Sequence, residues 1–517
     1  INVEAVAWPR RWSRAHAKAV RSKPCVSLPR RWARLSRYAG SMSEQPTVVD
    51  LFCGAGGLSL GFQAAGCRIL AGVDLDASAG RSWQENMSRL QPEDAPLGFF
   101  GPETGDLTTL DLEKIEEKGQ PTLLVGGPPC QGFSLIGRAK LKSLSDNGET
   151  IDPRNRLFLR YLAAVERWRP DAVVMENVPG MLSLNGTNVS EEVASALLDL
   201  DYRVGWAVLN SVWYGAPQFR ERIIFVAFRA DLGIAPVLPN PTHTTRLPTG
   251  YSPPRPASRL LFEGLNTRLS VILEHAHQSA TTVGEALADL PVLMEHLTGG
   301  YLARGDFRRP LAYATPPSSA YAHLMRKWPG LIEPEDVVDH VCRRTPRDYE
   351  TFRRMRPGDR YPEAHAIATR RLEEALAEIE TREGLRPAEG TKSYDDLQKS
   401  IRPPYPVDKF VDKWRKLHPK QPSHTVTAHL SKDCYSHIHY DSSQARMISL
   451  REAARLQSFP DAYVFLGNIG DCFRQVGNAV PPIMAWAIAH KVLKALGRDN
   501  RPPPLIQPNP PPFVIAK

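Results

Sequence analysis

No apolar run in this 517-residue chain approaches the roughly 18 to 20 residues that a bilayer-crossing helix needs. The first forty residues also lack the apolar core of a secretory signal. Cysteine is sparse: the seven residues Cys25, Cys53, Cys67, Cys130, Cys342, Cys434 and Cys472 are odd in number and contain no C-x-x-C pair. That fits neither a disulfide scaffold nor a zinc ribbon; no metal site is expected, and a reducing, cytoplasmic setting is. Charge of one sign is lacking over most of the chain. Residues 1–41 carry ten Lys/Arg against Glu4 alone, and the remainder is balanced at 55 basic and 55 acidic residues. The net charge of +9 therefore belongs to a tail and says little about the rest. This tail is expected to be a disordered arm or upstream sequence read in frame, with Met42 as the start of the working chain. Composition is otherwise ordinary for a globular protein, at 42% hydrophobic and 23% charged residues.

What is there is a strand–helix rhythm. "TVVDLF" (47–52) runs into glycines, "GLSLGFQAAG" reads as a helix closed by Gly66, and "RILAGVD" (68–74) is a second strand ending in an acid. "PTLLVGG" (121–127) and "DAVVMENV" (171–178) are further strands, with the amphipathic helix "NRLFLRYLAAVERW" (155–168) between them. "YRVGWAVLN" and "RIIFVAFR" form a last pair. This alternation predicts an α/β fold with a doubly wound, mostly parallel sheet. Seven prolines in residues 236–256 mark a boundary, and up to about residue 440 the rhythm is replaced by Arg, Lys, His and aromatics. We expect a catalytic and cofactor-binding part at 42–235, an inserted smaller domain at 236–440, and a return to the first domain at 441–500. There Ser449 and Glu452 make an S-x-x-E capping box. Residues 501–517 are a proline-rich tail.

Three stretches carry chemistry. "DLFCGAGG" puts Gly54, Gly56 and Gly57 where a strand opens into a helix, the usual cofactor edge of such sheets. The spacing is neither G-x-G-x-x-G nor a Walker loop, which disfavours a dinucleotide or a nucleoside triphosphate. Asp74, some twenty residues on, is placed to bind a ribose diol, and together the two features indicate an adenosine-containing cofactor. "GGPPCQGFS" presents Cys130 where a strand ends, and "VVMENV" ends the next strand with Glu176. A thiol nucleophile beside a carboxyl group suits addition to an electron-poor heterocycle. "QFRER" adds Arg220 and Arg222 on one face, suited to gripping a phosphate or a base carbonyl.

As an ordered set, "DLFCGAGG", "GVD", "GDL", "GGPPCQGFS", "RNRLF", "ENV", "YGAPQFRER", "REAARLQSFP" and "QVGNAVPP" resemble the DNA (cytosine-5) methyltransferase family over about residues 47–235 and 420–495. The resemblance implies the class I methyltransferase fold, S-adenosylmethionine as cofactor and double-stranded DNA as substrate. It implies that Cys130 adds to C6 of a flipped-out cytosine while Glu176 bonds N3 and the exocyclic amine. Arg220, with Arg222 in support, would hold the base and its phosphates. By the same resemblance Phe52 stacks on the adenine and the turn of Gly54, Gly56 and Gly57 lies against the methionine part. Asp74 holds the ribose and Asp106 the adenine amine, with Leu107 and Pro129 beside the cofactor and Asn478 closing the site. Residues 236–440 would be the target-recognition domain, and "SLREAARLQSFP" would hold it against the sheet. A monomer is expected, working beside a separate restriction endonuclease or as an orphan methylase.

Two rivals are set against this reading. The transfer-RNA branch of the family has a Cys-Phe-Thr signature, from which "DCYSH" (433–437) departs. A non-catalytic homologue would have lost Cys130, Glu176 or the glycines, and all are intact.

Overall fold

The computed structural model describes residues 45–92, 95–102, 107, 109–129, 153–183, 189–244, 268–269, 271, 276–298, 308–407 and 413–504. Cys130, Asp106 and the tails at 1–41 and 505–517 lie outside the described residues. One seven-stranded sheet organises the rest, made of β1 (Thr47–Leu51), β2 (Arg68–Val73), β3 (Gly98–Phe100), β4 (Leu123–Gly126), β5 (Ala172–Asn177), β6 (Tyr202–Asn210) and β7 (Glu221–Arg229). Their order is β3-β2-β1-β4-β5-β7-β6. The first five strands are parallel, and β7 runs antiparallel between β5 and β6. This is the doubly wound, mostly parallel sheet that the sequence predicts. The three-residue β3 is the strand that the pattern does not announce.

Crossover helices cover both faces: α1 (Gly57–Ala64), α2 (Ala77–Arg89), α3 (Pro153–Trp168) and α4 (Val189–Asp199). Strand β1 is buried along its whole length, as a central parallel strand must be. Its one carboxylate, Asp50, accepts from the Ser59 hydroxyl at 2.6 Å and the Ser59 N–H at 3.2 Å, and Trp83 Nε1 donates to the same hydroxyl at 2.8 Å. Strand, α1 and α2 are thereby fixed to one another. Helix α2 starts where Asp76 accepts from the N–H groups of Ser78 and Ala79.

The end of the chain completes its beginning. Helix α9 (Pro482–Ala495), the last of a set of five helices beyond the sheet, packs on α1. The close approach needs Gly61, where a Cβ would come within 2.4 Å of the Ala485 Cβ. Of the other four, α5 (Tyr361–Glu383) and α6 (Lys392–Ile401) form a hairpin with its own small core of Leu372, Leu376 and Ile401. Helix α7 (Leu450–Leu456) begins with the Ser449–Glu452 capping box, and α8 (Ile469–Asn478) with one formed by Asn468 and Asp471. Among the described residues no helix is long and apolar enough to cross a membrane.

Between β7 and α7, apart from the α5–α6 hairpin, regular structure is reduced to short helices and two-stranded ribbons, with Trp328, Trp414 and Tyr321 joining the main apolar core. Buried ion pairs fasten this stretch to α7. Arg455 reaches Asp289 and Asp461, Arg326 reaches Asp289 at 2.5 Å, and Arg451 reaches Asp339 at 3.3 Å.

Candidate active site

Parallel strands deliver their carboxyl ends to one edge of the sheet, and the antiparallel β7 delivers its start there. Five segments that are remote in sequence therefore meet: the turn after β1, Asp74 after β2, the loop after β4, Glu176 near the end of β5, and Arg222 at the start of β7.

The turn after β1 is strained. Phe52 has φ 65°, a left-handed conformation uncommon for a side-chain-bearing residue, and Gly54 and Gly56 follow at φ 53° and 88°. A Cβ on Gly54 would meet nothing within 4 Å, so the turn opens outward there. At Gly57 a Cβ would come within 2.2 Å of the Val480 carbonyl, so the lack of a side chain there serves packing against the last segment. Asp74 locks the turn: it accepts from Gly54 N–H at 2.7 Å and from Asp76 N–H at 2.8 Å. Burial raises the Asp74 carboxyl above its ordinary range, and these two donors oppose the rise. A carboxylate has further lone pairs beyond the two used here, as a diol would require. Exposed Leu75 stands beside it. An open glycine turn, an aromatic ring and a partly free carboxylate fit the nucleoside part of a cofactor.

At the other end of the edge, Glu176 Oε1 lies 2.5 Å from Arg222 Nε, with both side chains mostly covered. The remaining oxygen, Oε2, lies over Gly127, where a Cβ would come within 2.8 Å of it. Asn177 Nδ2 donates to the Pro128 carbonyl at 2.8 Å. The pair Gly127–Asn177 thus sets the Gly-Pro-Pro loop against the carboxylate, just before the chain reaches Cys130. Sequence reasoning passed over both residues, although "ENV" and "GGPP" carried the signal: a small residue facing an acid, and an amide following it.

Arg220 differs from the expectation that it shares an outward face with Arg222. It is 1% exposed, and its guanidinium donates to the carbonyls of Val426 at 2.5 Å and Gly477 at 2.9 Å. Burial, and then the neighbouring Arg222 charge, push it well below the ordinary arginine range. It braces three segments, and Gln218 does the same by accepting from Val426 N–H at 3.0 Å and donating to the Leu456 carbonyl at 2.8 Å. Asn478, the exposed last residue of α8, follows the Gly477 carbonyl that Arg220 holds. Pro129 is exposed at the loop, whereas the Leu107 side chain is buried in the core. The Leu107 carbonyl accepts from Arg160 at 2.8 Å.

Comparison with known proteins agrees over most of the chain. The model of the C-5 cytosine-specific DNA methylase family matches residues 46–309 and 332–494. A candidate type II methyltransferase of Oceanobacillus iheyensis is 36% identical over 473 residues, covering 88% of this chain and 98% of that protein. Type II methyltransferase M.AgeI of Thalassovita gelatinovora is 32% identical, covering 87% and 99%. The solved structure of a candidate DNA modification methyltransferase encoded within an E. coli prophage superposes with a TM-score of 0.56 at 19% identity, covering 88% of this chain and 100% of that one, which shows the shared fold.

Proposed function

The chain belongs to the C-5 cytosine-specific DNA methylase family, and from that premise we propose that it methylates C5 of a cytosine at a specific sequence in double-stranded DNA, with S-adenosylmethionine as donor. The observation that carries this reading is the Glu176–Arg222 pair, set over Gly127 beside the loop that leads to Cys130. Arg222 fixes Glu176 Oε1 and leaves Oε2 toward the loop, where it can hydrogen-bond N3 and the amine of a cytosine turned out of the duplex. Flipping that base costs a few kcal/mol, which the pocket must offset. The Cys130 thiolate adds to C6, its lone pair forming the C–S bond while the C5=C6 π pair moves toward C5, and the Glu176 carboxyl group, carrying a proton, shares it with N3 to offset the ring charge. Held by Phe52, the open turn at Gly54 and Asp74, the cofactor would supply an electrophilic methyl group. Loss of the C5 proton and departure of the Cys130 sulfur then restore the ring. Arg220 acts behind this site as a brace.

Residues 236–440 are proposed to recognise the DNA target, and residues 42–235 with 441–500 to form the catalytic part. The relatives' name, type II methyltransferase, supports a place in restriction-modification, and the chain is proposed to act in the cytoplasm as a monomer, apart from any endonuclease.

Bisulfite sequencing of DNA from a host expressing the protein tests the proposal. Protected cytosines should fall at one fixed position of one short sequence. The variant Cys130→Ser should give none while still binding S-adenosylmethionine; wild-type methylation by it would sink the covalent route.

A further inference from the structure

Asp74 is followed two residues later by a second carboxylate, Asp76, and the two are in direct contact through the Asp76 N–H, which donates to Asp74 Oδ1 at 2.8 Å. Asp76 Oδ1 is occupied as the cap of α2, accepting from the Ser78 hydroxyl at 2.6 Å and from the Ser78 and Ala79 N–H groups. Its Oδ2 faces a residue nearly four hundred positions away: Arg474 of α8 approaches with Nη2 at 3.0 Å and Nε at 3.3 Å. The same guanidinium is held at 2.9 Å by Asp471, which also caps α8. A continuous chain of contacts thus runs from the start of α8 through Arg474 and Asp76 to Asp74 and the glycine turn.

The charges explain why such a chain is needed. Asp74 has no cation of its own among the described residues; its partners are backbone N–H groups. Asp50 and Cys53 act on it from β1 and its turn, Asp76 acts on it from the cap of α2, and Arg474, held by Asp471, reaches Asp76 from α8. Among these groups Arg474 alone is a cation; Asp50, Asp76 and Asp471 are acids, and burial keeps the Cys53 thiol neutral. We propose that Arg474 is a positioning residue for the cofactor: by neutralising Asp76 it keeps the adjoining Asp74 carboxylate ionised and aimed at the cofactor. The proposal rests on the reading that Asp74 holds the ribose.

The shifts are consistent with this geometry. Burial raises Asp74 and Asp76 alike, but at Asp76 the Ser78 and Ala79 donors and then Arg474 outweigh it and bring the carboxyl below its ordinary range. With the cation removed, a negative Asp76 would make ionisation of Asp74 harder. The acid limb of cofactor binding would then move to higher pH. The ion pair is partly exposed, so this effect is moderate and weakens with salt.

Isothermal titration with S-adenosylhomocysteine between pH 5.5 and 8.5 tests it without turnover. We expect Arg474→Gln to weaken binding about three- to tenfold near pH 6 and little at pH 8.5. Arg474→Lys should stay near wild type. Adding Asp76→Asn to Arg474→Gln should restore the acid limb, because asparagine caps a helix as well as aspartate does but carries no charge. Asp50 and Cys53 are unchanged in every variant, so their titrations are common to all. A loss that is equal at all pH values and not rescued by Asp76→Asn would reduce Arg474 to a structural tie and overturn the proposal. So would unchanged binding in Arg474→Gln. Wild-type binding by Asp74→Asn would instead overturn the ribose reading on which it rests.

Discussion

Glu176 with Arg222 and Glu452 with Arg446 are the same ion pair in two settings. In the first, Arg222 reaches one carboxylate oxygen from the side, and both side chains keep about one-eighth of their surface exposed. In the second, Arg446 grips both oxygens of Glu452 at 2.7 Å, the Ser449 N–H adds a third bond at 2.7 Å, and His439 closes in at 3.5 Å. Burial by itself would raise the Glu452 carboxyl, but Arg446 and His439 outweigh it and hold it far below its usual range. A carboxylate with every lone pair committed can only hold elements together. One held by a single donor at the end of a strand has capacity left for a substrate.

The sharpest way to break this comparison is to neutralise each acid in turn. Glu176→Gln should lower methylation by about a hundred- to ten-thousandfold, the range for a positioned proton donor, and should change stability by about 1 kcal/mol or less. Glu452→Gln should do the reverse. It leaves Arg446 buried beside a neutral partner, and a loss of about 3–5 kcal/mol is expected, with near-normal activity per folded molecule. Urea melts alongside single-turnover methylation would separate the two. A stability loss confined to Glu176→Gln would invert the assignment.

The next contrast lies within "FRER". Arg220→Met removes two donors from the buried Val426 and Gly477 carbonyls, and about 2–4 kcal/mol of stability should go with them. Arg222→Gln should leave stability within about 1 kcal/mol and lower the rate of methylation about tenfold or more through Glu176. If Arg220→Met melts like the wild type, Arg220 is not a brace.

That pair also marks where the sequence stops being legible. Alternation along a strand put Arg220 and Arg222 together, and they are close enough to influence each other. Which of them faces outward depends on the segment at 423–427 and on Gly477, and no local pattern brings those in. The strands other than β3, the capping box at Ser449 and the shared edge for the "DLF", "GGPP" and "ENV" segments were legible because each rests on local spacing or on strand order. Gly57 shows the limit in another way. Its lack of a side chain was visible, but that the space is filled by the Val480 carbonyl is a fact of packing between the two ends of the chain. The Arg474–Asp76 contact and the Asp289–Arg455 pair are hidden for the same reason.

The last contrast concerns acid, and it separates the two settings by pH. His340 sits inside the Glu452 network, its ring nitrogens bonded to the Ser449 hydroxyl at 2.8 Å and the Pro291 carbonyl at 2.7 Å. Burial pushes it down to about 4, so the folded chain keeps it neutral where the unfolded chain, near 6.5, takes up a proton. Between these values the unfolded state binds more protons, so stability falls as pH falls, by at most about 3 kcal/mol for this residue. Asp50 works with the opposite sign over much of the same window, because burial raises it to about 7. Its contribution is common to wild type and variant and cancels in their difference. The Glu452 contribution, from a depressed carboxyl, is lost only at lower pH. His340→Gln keeps a donor and an acceptor but cannot titrate. Its stability should therefore lie on a visibly flatter line from pH 6.5 to 4, whatever its absolute level. Parallel lines for the two proteins would mean that His340 is already protonated in the fold, and that the network around Glu452 holds more positive charge than its geometry implies.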